Sequence, residues 1–222
     1  MRNEKIVKPM PGWVGIVMML VCIALGVVGL MSGYALSYIF FAVALFFLIG
    51  LVSVTHNESC VLMQFGRYKG TIKEHGFFWV NPMNNKKTVS LKPHSYTSDH
   101  IKVTDKLGNP ITIGLVLEWK VEDTFRATFN VDDYNRYVAF QCSTALIKLA
   151  DHYPYDKIHI DDQGVTLIAG GETVNKHLEQ ELRERLESVG ITVLEARLSY
   201  VGYAYRGGSS KKNGKKNNGA PK

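Results

Sequence analysis

Carboxylate and imidazole side chains are the groups in this sequence best suited to chemistry, and they are densest between residues 151 and 162. Four aspartates and two histidines stand within these twelve residues, and such a set could bind a divalent cation. A polar loop between two helices would have the same composition, so both interpretations stay open. The residues concerned are Asp151, His152, Asp156, His159, Asp161 and Asp162.

No other pattern in the sequence predicts an assembled site. The seven histidines form no H-E-x-x-H helix, and no serine lies in a G-x-S-x-G turn. The glycines between Gly164 and Gly171 fit neither nucleotide-binding fingerprint and are typical of a loop. Cys22, Cys60 and Cys142 are far apart and lack a C-x-x-C pair. We therefore expect a protein that is not an enzyme and that has no catalytic residue, cofactor or metal.

The positive charge of the chain lies at its two ends. The formal net charge is +6 over 222 residues, but residues 1–11 and 207–222 together carry more than this total. The body between them is therefore nearly neutral, and we expect no nucleic-acid partner. Residues 207–222 are rich in Lys, Gly and Asn, which indicates a disordered tail. Contact of its lysines with anionic lipid is the alternative.

Residues 12–54 form one long apolar segment. From Gly12 to Val54 the sequence contains no Asp, Glu, Lys or Arg. A single helix of this length would measure roughly 60 Å, about twice the hydrocarbon core of a bilayer. Ser32 and Gly33 interrupt the run and predict a transmembrane helical hairpin, whose second helix extends from residue 35 to residue 54. The apolar core of a cleaved signal peptide is too short to explain the segment.

Aromatic and basic residues at the ends of this segment predict how it sits in a membrane. Trp13, Tyr34 and Tyr38 fall near the expected helix ends, where amphipathic rings prefer the interface, so we expect them to contact the membrane. Lysines and arginines flank the segment on both sides, in the basic tail over residues 1–11 and after residue 54. The positive-inside rule therefore predicts that both flanks face the cytoplasm of the cell. A hairpin that spans fully and one that re-enters the same leaflet fit the sequence equally well.

Residues 55–206 are predicted to form one α+β domain, with strands first and helices later. The clearest strand covers residues 111–121, where apolar and other residues alternate as on a strand with one packed face. Asp105 to Pro110 is expected to be the turn before it. The other expected strands are Ser59 to Phe65, Gly76 to Val80, Thr88 to Leu91, His100 to Thr104 and Ile191 to Leu198.

Two helices are predicted in the second half of the domain. Asp132 and Asp133 can cap the first, in which apolar residues recur at spacings of three and four up to Leu149. The second covers residues 173–186 and ends before Gly190. It places Val174, Leu178, Leu182 and Leu186 in one row, which indicates a core face, or alternatively a seam for a partner helix.

A series of motifs runs through this domain in a fixed order. It begins with the sequence from residue 57 to residue 68, with its Phe65-Gly66-Arg67-Tyr68 step, and with Gly70-Thr71. It continues through Gly76-Phe77-Phe78-Trp79-Val80-Asn81-Pro82, the Trp119-Lys120-Val121 strand end, Val131-Asp132-Asp133-Tyr134, Tyr153-Pro154-Tyr155-Asp156 and the stretch from Gly190 to Arg197. In this order the motifs resemble the SPFH (stomatin, prohibitin, flotillin, HflK/C) or Band 7 family over about 150 residues.

What the resemblance implies is a membrane-tethered, stomatin-like scaffold. Such a protein would self-associate laterally as a homo-oligomer, organise membrane microdomains in the lipid and hold membrane proteins such as proteases. We expect Phe77, Phe78 and Trp79 to contact the bilayer surface, with a place in the core as the alternative. The alternative function is that of an adaptor, a regulatory subunit of one membrane protease or channel that does not form large assemblies.

The sequence departs from the family pattern after its last predicted strand. In the family a long Ala-, Glu-, Gln- and Arg-rich helix usually follows and helps to close the oligomer. Here Tyr203-Ala204-Tyr205-Arg206 leads into Gly207-Gly208-Ser209-Ser210 and the Lys-rich tail. This departure favours the adaptor, because assembly through that helix is not expected from the sequence.

Overall fold

A computed structural model describes residues 4–34, 37–156 and 165–204 of the chain. His159, Asp161, Asp162 and the predicted tail over 207–222 lie outside these residues. The elements in chain order are β1 (Met10–Pro11), α1 (Gly12–Met31), α2 (Tyr38–Ile49), β2 (Leu51–Val54), β3 (Glu58–Gln64), β4 (Arg67–Ile72), β5 (Gly76–Trp79), β6 (Asn85–Ser90), β7 (His94–Thr97), β8 (Ile101–Thr104), β9 (Pro110–Val121), α3 (Thr124–Phe129), α4 (Tyr134–His152), α5 (Gly171–Glu187) and β10 (Ile191–Tyr203).

The long strand β9 organises the larger, four-stranded sheet. It pairs antiparallel with β10 along one edge, and with β7 and then β8 along the other. The alternation predicted for this strand is confirmed, because every second side chain is buried against the helices. These buried residues are Ile111, Ile113, Leu115, Leu117, Trp119 and Val121.

Helices α4 and α5 cover the inner face of this sheet. Asp133 caps α4, and its side chain accepts hydrogen bonds from the backbone N–H groups of Asn135 and Arg136. The predicted row on α5 lies in the core, since Val174, Leu178, Leu182 and Leu186 are all fully buried. Because this row is already packed against the sheet, it does not form a seam for a partner helix.

Two smaller antiparallel sheets join the α+β core to the apolar segment. One has the order β4-β3-β6, and the other has the order β1-β5-β2. A second, smaller core lies between them, formed by buried side chains of β2, β3 and β4 and by Val80, the residue after β5. The main sheet carries the fold of the domain, whereas these two sheets connect it to α1 and α2.

The apolar segment differs from the prediction at its C-terminal end. We expected helix from residue 35 to residue 54, but α2 covers only Tyr38–Ile49, and Leu51–Val54 is a strand paired with β5. The expectation was wrong here because composition alone cannot separate a helix from a strand of equal hydropathy. Gly50 ends the helix at the point where the Trp79 ring approaches the backbone.

The other predicted strands are confirmed with shifted bounds, and β10 runs five residues beyond the expected end, to Tyr203. Strands β1, β2, β4 and β7 and the short helix α3 were not predicted from the sequence. The missed strands are short or, like Arg67–Ile72, contain glycine and charged residues, so they lack the alternation of a strand with one packed face.

The turn before β9 is built around one carboxylate. Asp105 is buried and accepts hydrogen bonds from the backbone N–H groups of Leu107 and Asn109, from the Asn109 side chain, and from the N–H of Tyr155 at 2.9 Å. Burial by itself would raise the pKa of Asp105, but these hydrogen bonds outweigh it and hold the pKa below its usual range. The carboxylate therefore links the turn to the segment after α4.

We expect Asp105→Asn to lower the free energy of unfolding by about 1–3 kcal/mol at neutral pH, because an amide nitrogen would face buried N–H donors. The folded-state pKa of Asp105 is depressed, so its contribution is present above the ordinary carboxyl pKa and is lost as pH falls through the folded value. Urea unfolding of the full chain in detergent at several pH values measures this difference. Equal stability of variant and parent at neutral pH would contradict the assignment.

Candidate membrane-anchoring site

Helix α1 is the one described helix long and apolar enough to cross a membrane, and α2 is a shorter apolar helix. Most large apolar side chains of both helices are exposed, whereas in the core of a soluble protein such side chains are buried. Trp13 begins this surface with 64% of its area exposed, and Tyr34 and Tyr38 flank the connection between the helices, also exposed. These three aromatic residues therefore stand at the helix ends, as predicted. Their contact with lipid stays a prediction.

The two helices pack against each other through small residues, and we call them together the apolar helix pair. Gly26 faces the ring of Phe41, where an added Cβ would come within 2.8 Å of a ring carbon. Gly29 faces Ser37 in the same way. Ser37 donates a hydrogen bond from its hydroxyl to the carbonyl of Tyr34 at 2.7 Å, so the polar group is satisfied within the connection. Small residues allow this close approach without a polar cavity.

Strand β5 fastens the apolar helix pair to the domain. It pairs with β1, which precedes α1, and with β2, which follows α2. The indole Nε1–H of Trp79 donates to the carbonyl of Phe47 at 3.0 Å, and the N–H of Val80 donates to the carbonyl of Gly50 at 2.8 Å. The domain therefore satisfies one carbonyl in the last turn of α2 and the carbonyl of the residue that follows the helix.

The three aromatic residues of β5 that were predicted to contact the bilayer lie in three different environments. Trp79 packs on Gly15 and on the rings of Phe46 and Phe47. Phe78 is half-buried against the smaller core. Phe77 is 43% exposed beside Gly12 at the start of α1. The structure thus places all three side chains at the junction, and only Phe77 presents a large exposed face.

Residues 4–7, expected to belong to a basic tail, are bound along the edge of β4. The N–H of Val7 donates to the carbonyl of Thr71, and the N–H of Thr71 donates to the carbonyl of Lys5. Glu4 forms an ion pair with Lys73 at 2.6 Å and accepts a hydrogen bond from the hydroxyl of Thr124. The chain before α1 is therefore part of the folded domain.

The structure brings together only part of the predicted carboxylate and histidine cluster. Asp151 and His152 line a groove of about 360 Å³ between α4 and α5, together with Lys148, His177 and Glu181. His177 shares a hydrogen bond of 3.0 Å with the hydroxyl of Tyr153, and Glu181 forms an ion pair with Lys148. Within the described residues, no three metal-ligating side chains form a group. The contribution of α5 to this groove could not be predicted from the sequence.

We expect Gly50→Ala to loosen the junction, because the added Cβ would lie 2.3 Å from the Trp79 Nε1 atom and 2.9 Å from the Val80 carbonyl oxygen. Overpacking of this kind costs about 1–3 kcal/mol. Hydrogen exchange of the detergent-solubilised chain should rise over residues 50–54 and 76–80 and stay unchanged in α4 and α5. Gly171→Ala is the matched control, since nothing lies within 4 Å of its added Cβ. Equal exchange in the two variants would contradict this account of the junction.

The comparison with known families agrees with the domain bounds. No curated protein matches the chain. The sequence model described as SPFH domain / Band 7 family matches residues 52–205, a range that begins within β2, includes β5 and ends just after β10. Families of this kind are generally membrane-associated scaffolds. The resemblance read from the sequence is thereby confirmed, and the chain belongs to the SPFH domain / Band 7 family.

Proposed function

We propose that this chain is a membrane scaffold without enzymatic activity of its own. Its apolar helix pair inserts into the cell membrane as a hairpin, and its SPFH domain lies on the cytoplasmic face. Copies self-associate there to organise lipid microdomains or complexes of membrane proteins, such as a membrane protease. The observation that carries the proposal is the junction at β5, which holds the domain directly against the base of the apolar helices.

Strand pairing at both ends of the apolar segment supports a hairpin. Residues 5–7 lie along β4, β1 pairs with β5 before α1, and β2 pairs with β5 after α2. Both ends of the segment are thus held by the same domain and lie on the same side of a membrane. Such a chain either crosses the bilayer twice or enters and returns on the same side.

The lengths of the helices bear on which of these two arrangements applies. Helix α1 has 20 residues and α2 has 12, so they rise about 30 Å and about 18 Å. Helix α1 is therefore long enough to cross a hydrocarbon core of about 30 Å, whereas α2 is shorter than this core. The shorter helix favours a hairpin that re-enters, or one that crosses a locally thinned bilayer.

Charges beside the junction support a cytoplasmic domain. Lys5 and Lys8 precede the apolar segment, and Arg67, Lys69 and Lys73 follow it, whereas the connection around Met31–Tyr34 has no charge. The positive-inside rule therefore favours both flanks in the cytoplasm.

The edge of the main sheet supports lateral association of copies. Strand β10 is 13 residues long and pairs with β9 along one edge, and no described strand pairs with its other edge. Leu194 projects from this strand at an irregularity in the pairing, and it is exposed. A long edge strand with an exposed apolar side chain offers backbone groups and apolar area to a second chain.

The size of the complex tests the scaffold directly. We expect crosslinking in native membranes, followed by light scattering of the detergent-extracted chain, to give species of many copies. Monomers alone in both measurements would refute self-association. One stoichiometric partner protein without self-association would support an adaptor of a protease or channel instead.

Substitution on the β10 edge sharpens this test. We expect Leu194→Lys to reduce the share of large species several-fold, because a buried lysine at a strand–strand contact would be strongly unfavourable. Leu107→Lys is the matched control, since Leu107 is 46% exposed against 41% for Leu194 but lies in the turn before β9. A distribution unchanged by Leu194→Lys would exclude this edge as the contact.

A further inference from the structure

The hairpin between β3 and β4 ends in an apolar side chain that the local backbone disfavours. Phe65 has φ +48° and is followed by Gly66 at φ +75°, so both central residues of the turn are left-handed. Turns of this class strongly prefer Asn-Gly, and a bulky residue is an outlier there. Phe65 nevertheless occupies the position with 79% of its surface exposed. The residue therefore stabilises neither the turn nor the core.

The chain path places this turn on the membrane side of the domain. Strand β2 leaves the base of α2, and a tight turn closed by the hydrogen bond from Glu58 N–H to the Thr55 carbonyl reverses the chain into β3. The stacked rings of His56 and His75 put this reversal beside the one that precedes β5. Strand β3 therefore runs back towards the apolar helix pair.

The lengths of the strands extend this argument. Strand β2 has four residues and β3 has seven, a difference of about 10 Å in length. The longer β3 thus carries the turn at Phe65 towards the end of the domain from which β2 starts. The loop after Trp79 lies at the same end of the sheet, because Met63 on β3 pairs with Asn85 at the start of β6. Met83 in that loop is 57% exposed.

Basic residues follow these two apolar side chains closely along the chain. Arg67 comes directly after the turn, and Lys86 and Lys87 are the second and third residues of β6, whose first residue pairs with Met63. The sequence has no acidic residue from 59 to 73 or from 75 to 98. Within residues 4–34, 37–156 and 165–204, none of these three cations forms an ion pair. We call Phe65 and Met83 the apolar tip, and Arg67, Lys86 and Lys87 the basic collar.

We infer that the apolar tip inserts into the headgroup region of the bilayer and that the basic collar binds anionic lipid there. An apolar side chain flanked by lysines and arginines matches the change from hydrocarbon to charged headgroups. This inference rests on the proposed insertion of the apolar helix pair. It adds a second contact that fixes the tilt of the domain on the membrane and its preference for anionic lipid.

A fluorescent label on single cysteines of the full chain tests the inference. Cys60 and Cys142 are buried, and burial raises the pKa of both thiols, that of Cys142 to about 12, so they should label slowly at neutral pH. With Cys22→Ala as background, the label is placed by Phe65→Cys, by Leu107→Cys as an exposed control in the turn before β9, or by Val21→Cys within α1. Each protein is reconstituted into phosphatidylcholine vesicles with and without phosphatidylserine, and quenching by a lipid-borne nitroxide is measured.

We expect several-fold stronger quenching at position 65 than at position 107, and stronger quenching with phosphatidylserine than without it. Equal quenching at positions 65 and 107, with strong quenching at position 21, would overturn the insertion of the apolar tip but leave the insertion of the helices standing. Absence of quenching at 21 would overturn the insertion of the helices and this inference with it. A label at 65 that is shielded from aqueous quenchers but not reached by the lipid quencher would indicate a protein contact and would also overturn the inference.

Two further variants separate the roles of the tip and the collar. With the label placed by Met83→Cys, Phe65→Asn should reduce lipid quenching while the domain unfolds at the same or a higher urea concentration, because Asn suits the left-handed turn. A lower unfolding midpoint would show a structural role for Phe65 and overturn the inference. Lys86→Glu should remove the increase caused by phosphatidylserine, and an undiminished increase would overturn lipid binding by the collar.

Discussion

The structure depends on one constraint: the backbone groups at the ends of the two apolar helices have no partner within the helix and need hydrogen-bond partners elsewhere. At the end of α2 the Trp79 indole donates to the Phe47 carbonyl, and the N–H of Val80 donates to the carbonyl of Gly50, the residue after the helix. Strand β5 also pairs with the chain before α1 and with the chain after α2. Because these partners belong to the folded domain, the domain cannot swing freely on a linker. Its orientation is set by the same hydrogen bonds that end the helices.

The two cores of the domain have different roles: the larger stabilises the domain, and the smaller attaches it to the apolar helices. The larger core, under β9, α4 and α5, contains most of the fully buried side chains and supplies the stability of the domain. The smaller core, around Val54, Leu62 and Ile72, is covered by the sheets that lead into the apolar helices. A change at the junction should therefore alter how the domain is held without unfolding the larger core.

The sequence predicted those parts of the fold in which a residue pattern has one physical cause. The alternation along β9 and the row at intervals of four on α5 each arise from one buried face, and both were found as expected. The boundary at Gly50 could not be predicted, since Leu51–Val54 is as apolar as the helix before it and becomes a strand only because β5 lies beside it. The contribution of α5 to the groove at His152 and the position of Phe65 likewise depend on contacts between distant segments.

The pairing of Met10 with Trp79 also constrains when the chain can fold. The first strand of the domain is synthesised before both apolar helices, but its partner emerges only after them. Residues 4–11 must therefore stay without this partner until α1 and α2 have been made. Closing so long a loop is slow unless its ends are already near each other. Packing of α1 against α2 brings the ends together, so the helix pair forms before the domain is complete.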